Sequence, residues 1–233
     1  MKILALDSTA VVASCAILED EHLLASFTVN NGNTHSETLL PMVEASLRLL
    51  GLNPKDIDLF ALSEGPGSFT GVRIGAATIK GLAFGKDKPC IGVSTLEALA
   101  QNLFGSRGII CPAMNARRNQ VYTAIFRCDN GKIERLTEDK AIAVTELEDE
   151  LDGYDSPIYI CGDGDFLLYE SKTRRKEYAF VPEHLRYQSG YSVGICALNK
   201  YKAGEIKNDL TIAPTYLRPS QAERTRNEQN KGE

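Results

Sequence analysis

Short apolar runs separated by polar turns fill the first thirty residues, and their period predicts strands. Lys2–Asp7 and Ser14–Glu19 flank the turn DSTAVVA and Leu23–Val29 follows, so an antiparallel meander is expected. From Thr34 to Leu50 the period changes. Leu39, Met42, Val43, Leu47 and Leu50 recur at helical spacing. Thr34 and Glu37 stand three apart, the signature of a capping box in which hydroxyl and carboxylate each take a free backbone N–H. Gly51 closes the helix, and Pro41, which removes one helical hydrogen bond, predicts a kink or a looser first turn.

Asp56–Ser63 alternates into a fourth strand, followed by a glycine loop, a helix over Gly71–Phe84 and a short strand at Cys90–Val93. Another helix starts at Ser94–Thr95, with Glu97 early enough to face the positive end of its dipole. The polar turn Gly105–Gly108 marks a lobe boundary, after which the pattern restarts. Ile109–Met114 and Val121–Arg127 predict two strands joined by NARRNQ, and Glu134–Asp155 is a polar, acidic stretch with one short helix. Pro157–Cys161 is a buried strand ending in the turn GDGD. Ser189–Ala203 is a helix and Ala213–Arg218 an extended segment. Two halves that each open with a strand pair and continue as β/α units predict a duplicated α/β architecture, with lobes at residues 1–105 and 106–221. The tail 222–233, polar or charged after its first residue, is expected to be disordered.

Composition narrows the function classes. A chain of 233 residues with 43% apolar content has room for one large domain or two modest ones. The net charge of −5 argues against gripping nucleic acid unaided, while leaving room for a local basic patch within a larger assembly. No window reaches the roughly 20 apolar residues of a membrane span. Asp7 breaks the apolar run at the start, which therefore reads as strands and not as a signal peptide. The six cysteines are scattered without a CxxC or a neighbouring histidine, the pattern of reduced, buried thiols in the cytosol.

Candidate chemistry centres on EGPGSFTGVRIG. A strand, a glycine loop and a helix start can hold an anion, here with Ser68 and Thr70 as donors and Arg73 as a cation. The loop is not GxxxxGK[ST], and Thr70 occupies the third glycine slot of GxGxxG. The alternative is packing. Gly71 and Gly75 lie four apart, as do Ala77, Gly81 and Gly85, so two faces of one helix are nearly bare and another helix could approach closely. Asp7 could approach a nucleotide's metal or cap its own turn; both readings stand. His22, His35 and His184 are isolated, with no HExxH pair and no GxSxG elbow, so zinc hydrolysis and nucleophilic catalysis are unsupported. Arg117, Arg118 and Tyr122 could touch phosphate or form a solvated hairpin end.

ILALDST, THSETLLPMVE, SEGPGSFTGVRIG, AxxxGLAFG and IGVSTLEALA together resemble the bacterial TsaB (YeaZ) family, and NARRNQVYTAIF and APTYLR extend the resemblance over most of the chain. The resemblance implies a two-lobed actin-like ATPase fold and paralogy to TsaD, the catalytic subunit of the threonylcarbamoyladenosine tRNA-modification machinery. TsaD-type sequences carry a metal-binding HxxxH in a segment that aligns with VSTLEALA, where Thr95 and Leu99 replace the histidines and only Glu97 is retained. That points to a pseudo-enzyme without a metal site. Asn115 stands where the family usually has Asp, and GDGD only loosely matches the glycine turn that approaches adenosine in actin-like ATPases.

The implied function is that of a non-catalytic cytoplasmic subunit. It would bind TsaD, or itself when TsaD is absent, in the complex that forms N6-threonylcarbamoyladenosine at position 37 of tRNAs reading ANN codons. TsaE would supply ATPase activity, tRNA would be met through the complex, and no membrane is involved. Expected interface residues are Thr34, His35, Thr38, Leu39 and Met42 on the first helix, and Gly71, Arg73, Gly75, Ala77 and Thr78 on the second. No catalytic residue and no cofactor requirement is expected. ATP or ADP could sit at the partner interface or bind weakly near Asp7, Ser8, Thr9 and Asn115. The alternatives are an actin-fold small-molecule kinase or ATPase and, third, a metallopeptidase.

Overall fold

A computed structural model describes residues 1–218, so the tail expected to be disordered lies outside the described residues. The first sheet contains β1 (Lys2–Asp7), β2 (Ala13–Glu19), β3 (His22–Val29), β4 (Leu59–Gly65) and β5 (Cys90–Ser94), in the order β3-β2-β1-β4-β5. The meander pairs antiparallel, while β4 lies parallel to both β1 and β5. Both faces are covered, which explains the continuous apolar runs of β1 and β4. Leu4, Leu6, Phe60 and Leu62 point to the face under α1 (His35–Leu49) and α2 (Phe69–Ala83). Ile3, Ala5, Leu59 and Ala61 point the other way, onto α7 (Gly190–Lys202).

The second half repeats the arrangement around β6 (Gly108–Asn115). β11 (Ile158–Cys161) lies parallel to β6, and β12 (Ala179–Phe180) lies parallel to β11. Antiparallel to β6 come β7 (Gln120–Thr123) and β8 (Phe126–Asp129), extended by β10 (Lys140–Ala143) and β9 (Lys132–Arg135). The helices are α3 (Thr95–Gln101), α4 (Val144–Leu151), α5 (Asp165–Tyr169) and α6 (Glu183–Arg186). Each lobe thus joins an antiparallel meander to parallel β/α strands, the duplicated two-lobed α/β architecture that the resemblance to an actin-like fold implies.

Several local expectations need correction. The single strand expected at Val121–Arg127 breaks at Ala124–Ile125, because its first half pairs with Ala113–Asn115 and its second with Gly108–Ile110. β9, β10 and β12 lie in polar surroundings whose periodicity predicts no strand. The Thr34–Glu37 capping box does not form: Ser36 engages the Thr34 hydroxyl at 3.0 Å, leaving the cap without a side-chain bond. The described residues of the second half also pack onto the first. α7 crosses back to cover the first sheet, and Lys207 bridges to Cys90 on its edge. No described helix is long and apolar enough to cross a membrane.

Candidate functional site

Between the lobes lies a cleft of about 630 Å³, lined from the first lobe by Thr9, Gly67, Ser68 and Phe69, and from the second by Asn115, Arg117, Tyr122 and Asp163. The segment Thr215–Arg218 closes one side. The glycine loop reaches this cleft because it is fitted against the turn after β1. A Cβ on Gly67 would lie 2.3 Å from the Thr9 carbonyl oxygen, and one on Gly71 would lie 1.9 Å from that of Ser8. The loop amides are drawn into the same contact: the Ser68 N–H donates to Thr9 O at 2.6 Å, and the Gly71 N–H donates to Ser68 Oγ at 3.3 Å. The two sequence motifs interlock. This favours packing over an anion cradle.

Asp7 resolves the same way. Its Oδ1 accepts the Thr9 N–H at 2.8 Å and the Thr9 hydroxyl at 2.7 Å, and its Oδ2 accepts the Ser63 hydroxyl. Burial raises its pKa, opposed by the Ser63 and Thr9 hydrogen bonds. It is a turn cap, 1% exposed, and neither it nor Ser8 lines the cleft. Of the four residues expected near a nucleotide, only Thr9 and Asn115 do.

At the cleft floor, the pKa of Asp163 is pushed up to about 6, chiefly by burial, while the Asn115 N–H at 3.3 Å pulls the other way. Asp165 is raised by burial too, but Arg186 pairs with it. Across the rim, Phe69 and Tyr216 stack with centroids 4.5 Å apart, and the Arg73 guanidinium lies 3.9 Å over Phe69 and donates to the Tyr216 hydroxyl at 2.9 Å. Arg117, Arg118 and Asn119 all have left-handed backbone, with φ of 64°, 54° and 54°. Three such residues in a row hold strain of the kind found at functional loops. Phe69, Asp163, Tyr216 and Arg218 lie in the motifs SEGPGSFTGVRIG, GDGD and APTYLR, but nothing in those motifs brings them to one cleft. Tyr216 is 143 residues from Arg73, and no local pattern announces that contact.

The expected interface residues divide into two groups. Leu39, Met42, Gly71 and Gly75 are buried in this chain's own core and are not on its surface. Gly75 is small because Ser8 Oγ would lie 2.7 Å from its Cβ. The exposed or half-buried group is Thr34, His35, Thr38, Arg73, Ala77 and Thr78, with His35 Nε2 2.7 Å from Ala10 O. Thr95 and Leu99 are fully buried, and the Thr95 hydroxyl has no partner.

The family model described as "TsaD: tRNA N6-adenosine threonylcarbamoyltransferase" matches residues 29–224. The tRNA threonylcarbamoyladenosine biosynthesis protein TsaB of Bacillus subtilis is 34% identical over 162 residues, 70% of this chain and 71% of its own length. Its counterpart in Escherichia coli is 38% identical over 152 residues, 64% of this chain and 65% of its own. Among solved structures, a Pseudomonas aeruginosa protein described as similar to the peptidase YeaZ superposes with a TM-score of 0.81 at 26% identity, covering 93% of this chain and 99% of that one.

Proposed function

The chain belongs to the TsaB (YeaZ) family, and from that premise we propose that it serves tRNA threonylcarbamoyladenosine synthesis as a non-catalytic subunit that binds and organises TsaD. The observation that carries this reading is the outer stripe of α2. Arg73, Ala77 and Gly81 are exposed at four-residue spacing, Gly81 has nothing within 4 Å of its Cβ position, and Phe84 just beyond is 73% exposed. On α1, Leu40 and Leu49 are 54% and 71% exposed. Small residues beside exposed apolar ones suit a second helix pair closing on these two. TsaD is the proposed occupant, with a second copy of this chain in its absence.

Catalysis would then belong to TsaD, which adds the threonylcarbamoyl group to adenosine 37 of tRNAs reading ANN codons in the cytoplasm, with TsaE as the ATPase. Two features support a non-catalytic role. Thr95 and Leu99, at the positions of the metal-binding histidines, are packing residues of the interior. Asp7, the carboxylate a kinase would direct at a phosphate or its metal, has both oxygens held by Thr9 and Ser63. In this reading the chain needs no cofactor. ATP or ADP would meet it at the partner interface or, weakly, in the cleft against Thr9 and Asn115.

Replacing Ala77 or Gly81 with glutamate is the direct test, since both positions are open and the monomer should stay folded. Size-exclusion chromatography and calorimetry with TsaD should show affinity falling by about 100-fold, the scale of about 3 kcal/mol for a charge buried without a partner. Complex formation unchanged by both substitutions would sink the interface.

A further inference from the structure

The cleft rim departs from the charge balance of the rest of the surface. Arg117 on the β6–β7 turn and Arg218 in the terminal segment line it, Arg118 follows Arg117 on the exposed turn, and Arg73 on α2 lies against the lining residues Phe69 and Tyr216. Among the described residues, the arginines that form ion pairs are Arg107, Arg135, Arg175 and Arg186, all elsewhere. Two of the rim arginines are instead set on aromatic rings and neutral acceptors, and Arg117 and Arg118 sit on an exposed turn. Arg73 lies over Phe69 and Tyr216, while Arg218 lies 5.8 Å over Tyr122 and donates to Ala116 O and Gln120 Oε1. Asp163 is the sole acid among the described residues that line the cleft. In a chain of net charge −5, four cations with no carboxylate partner among the described residues form a concentrated positive edge.

Positive guanidinium groups beside exposed aromatic faces suit a polyanion that also carries flat rings. Tyr216 is 41% exposed beside its stack on Phe69, and Arg117 and Arg118 stand on an exposed turn, where guanidinium groups can meet a phosphodiester backbone. We infer that this rim is a contact surface for RNA, gripping the backbone of an unpaired loop through Arg117, Arg118 and Arg218 and stacking a base on Tyr216. The inference rests on the family's role in tRNA modification. It adds that this subunit touches the RNA itself, on the edge of the cleft, which meets the outer stripe of α2 at Arg73.

An unmodified transcript of a tRNA reading ANN codons provides the probe, used with the full chain alone and with its TsaD complex. Ultraviolet cross-linking followed by peptide mapping should place RNA on Tyr216 or Tyr122. The Arg117→Gln, Arg118→Gln double variant should weaken transcript binding by roughly tenfold or more at about 0.1 M salt, and reduce the slope of log affinity against log salt by about 1.4, the loss of two single-strand phosphate contacts. Unchanged affinity and slope, or cross-links confined to other surfaces, would overturn the inference. So would displacement of the transcript by ATP together with equal loss of ATP binding in the double variant, which would make the rim a mononucleotide site. Failure of the TsaD complex to form would count against the proposed function alone, because cross-linking is also read on the isolated chain.

Discussion

Two alanine substitutions in one helix, Gly71→Ala and Gly81→Ala, should move stability in opposite directions. At Gly71 the new Cβ would lie 1.9 Å from the backbone oxygen of Ser8, against the 3.0 Å below which real contacts essentially never fall. Neither side can yield locally. The Ser8 hydroxyl donates to Gly71 O at 2.9 Å, and Ser68 N–H is bonded to Thr9 O, so the helix start and the turn after β1 must part together. Overpacking plus a strained buried hydrogen bond puts the loss at about 2–4 kcal/mol. At Gly81 the Cβ meets nothing, and alanine gains about 0.5–1 kcal/mol through helix propensity and a less flexible unfolded chain. For a chain of this size each kcal/mol is worth about 2–4 °C. Calorimetry should therefore show Gly71→Ala melting roughly 5–15 °C low and Gly81→Ala slightly high. Equal effects, or a stable Gly71→Ala variant, would refute the division of this helix into an inward and an outward small-residue face.

Other consequences follow from the buried polar groups. With its native pKa near 6, Asp163 keeps a proton that the unfolded chain has already released at ordinary carboxylate pKa, so its ionisation disfavours the folded state as pH rises through about 4–6. Asp163→Asn should add roughly 1–2 kcal/mol above that window, allowing for partial exposure, and denaturation at pH 5 and pH 8 should show a flatter profile. Asp7→Ala leaves the Thr9 N–H, the Thr9 hydroxyl and the Ser63 hydroxyl without their acceptor, which should cost about 2–4 kcal/mol in urea unfolding. Intact stability with lost Mg·ATP binding would favour the kinase reading instead. All six cysteines are buried, and burial raises the thiol pKa of Cys15 to about 12 and of Cys90 to about 11. A thiol reagent should titrate none in the native protein and all six after denaturation.

What was legible in the sequence was whatever local period and covalent shape decide. The β1–β2–β3 meander and the α1 and α2 helices each sit in a window whose own residues specify them. The lobe 2 meander did not, because Val121–Arg127 keeps one alternation while changing partner halfway, and only tertiary pairing selects the break at Ala124–Ile125. Capping failed for a related reason. Thr34 has the right residue type, but Ser36 two positions on competes for its hydroxyl.

The candidate site was legible in composition and illegible in assembly. GPGSFTGVR marked a place where backbone approaches backbone, but spacing alone could not tell an anion from a carbonyl as the thing approached. The structure puts the carbonyls of Ser8 and Thr9 there, at positions where Cβ atoms on Gly71 and Gly67 would collide with them. Small residues at four-residue intervals were equally ambiguous. Gly71 and Gly75 face inward and their smallness is explained within the chain; Ala77 and Gly81 face outward and theirs is not. That asymmetry is what separates a fold requirement from a docking requirement on the same helix. It also relocates the unexplained chemistry of the chain to two surfaces that share Arg73: the bare outer stripe of α2, and the cleft rim where Arg73 meets Phe69 and Tyr216. A partner closing on the first would fix the side chain that helps hold the second, so occupancy of one surface and the order of the other are expected to be coupled through that guanidinium.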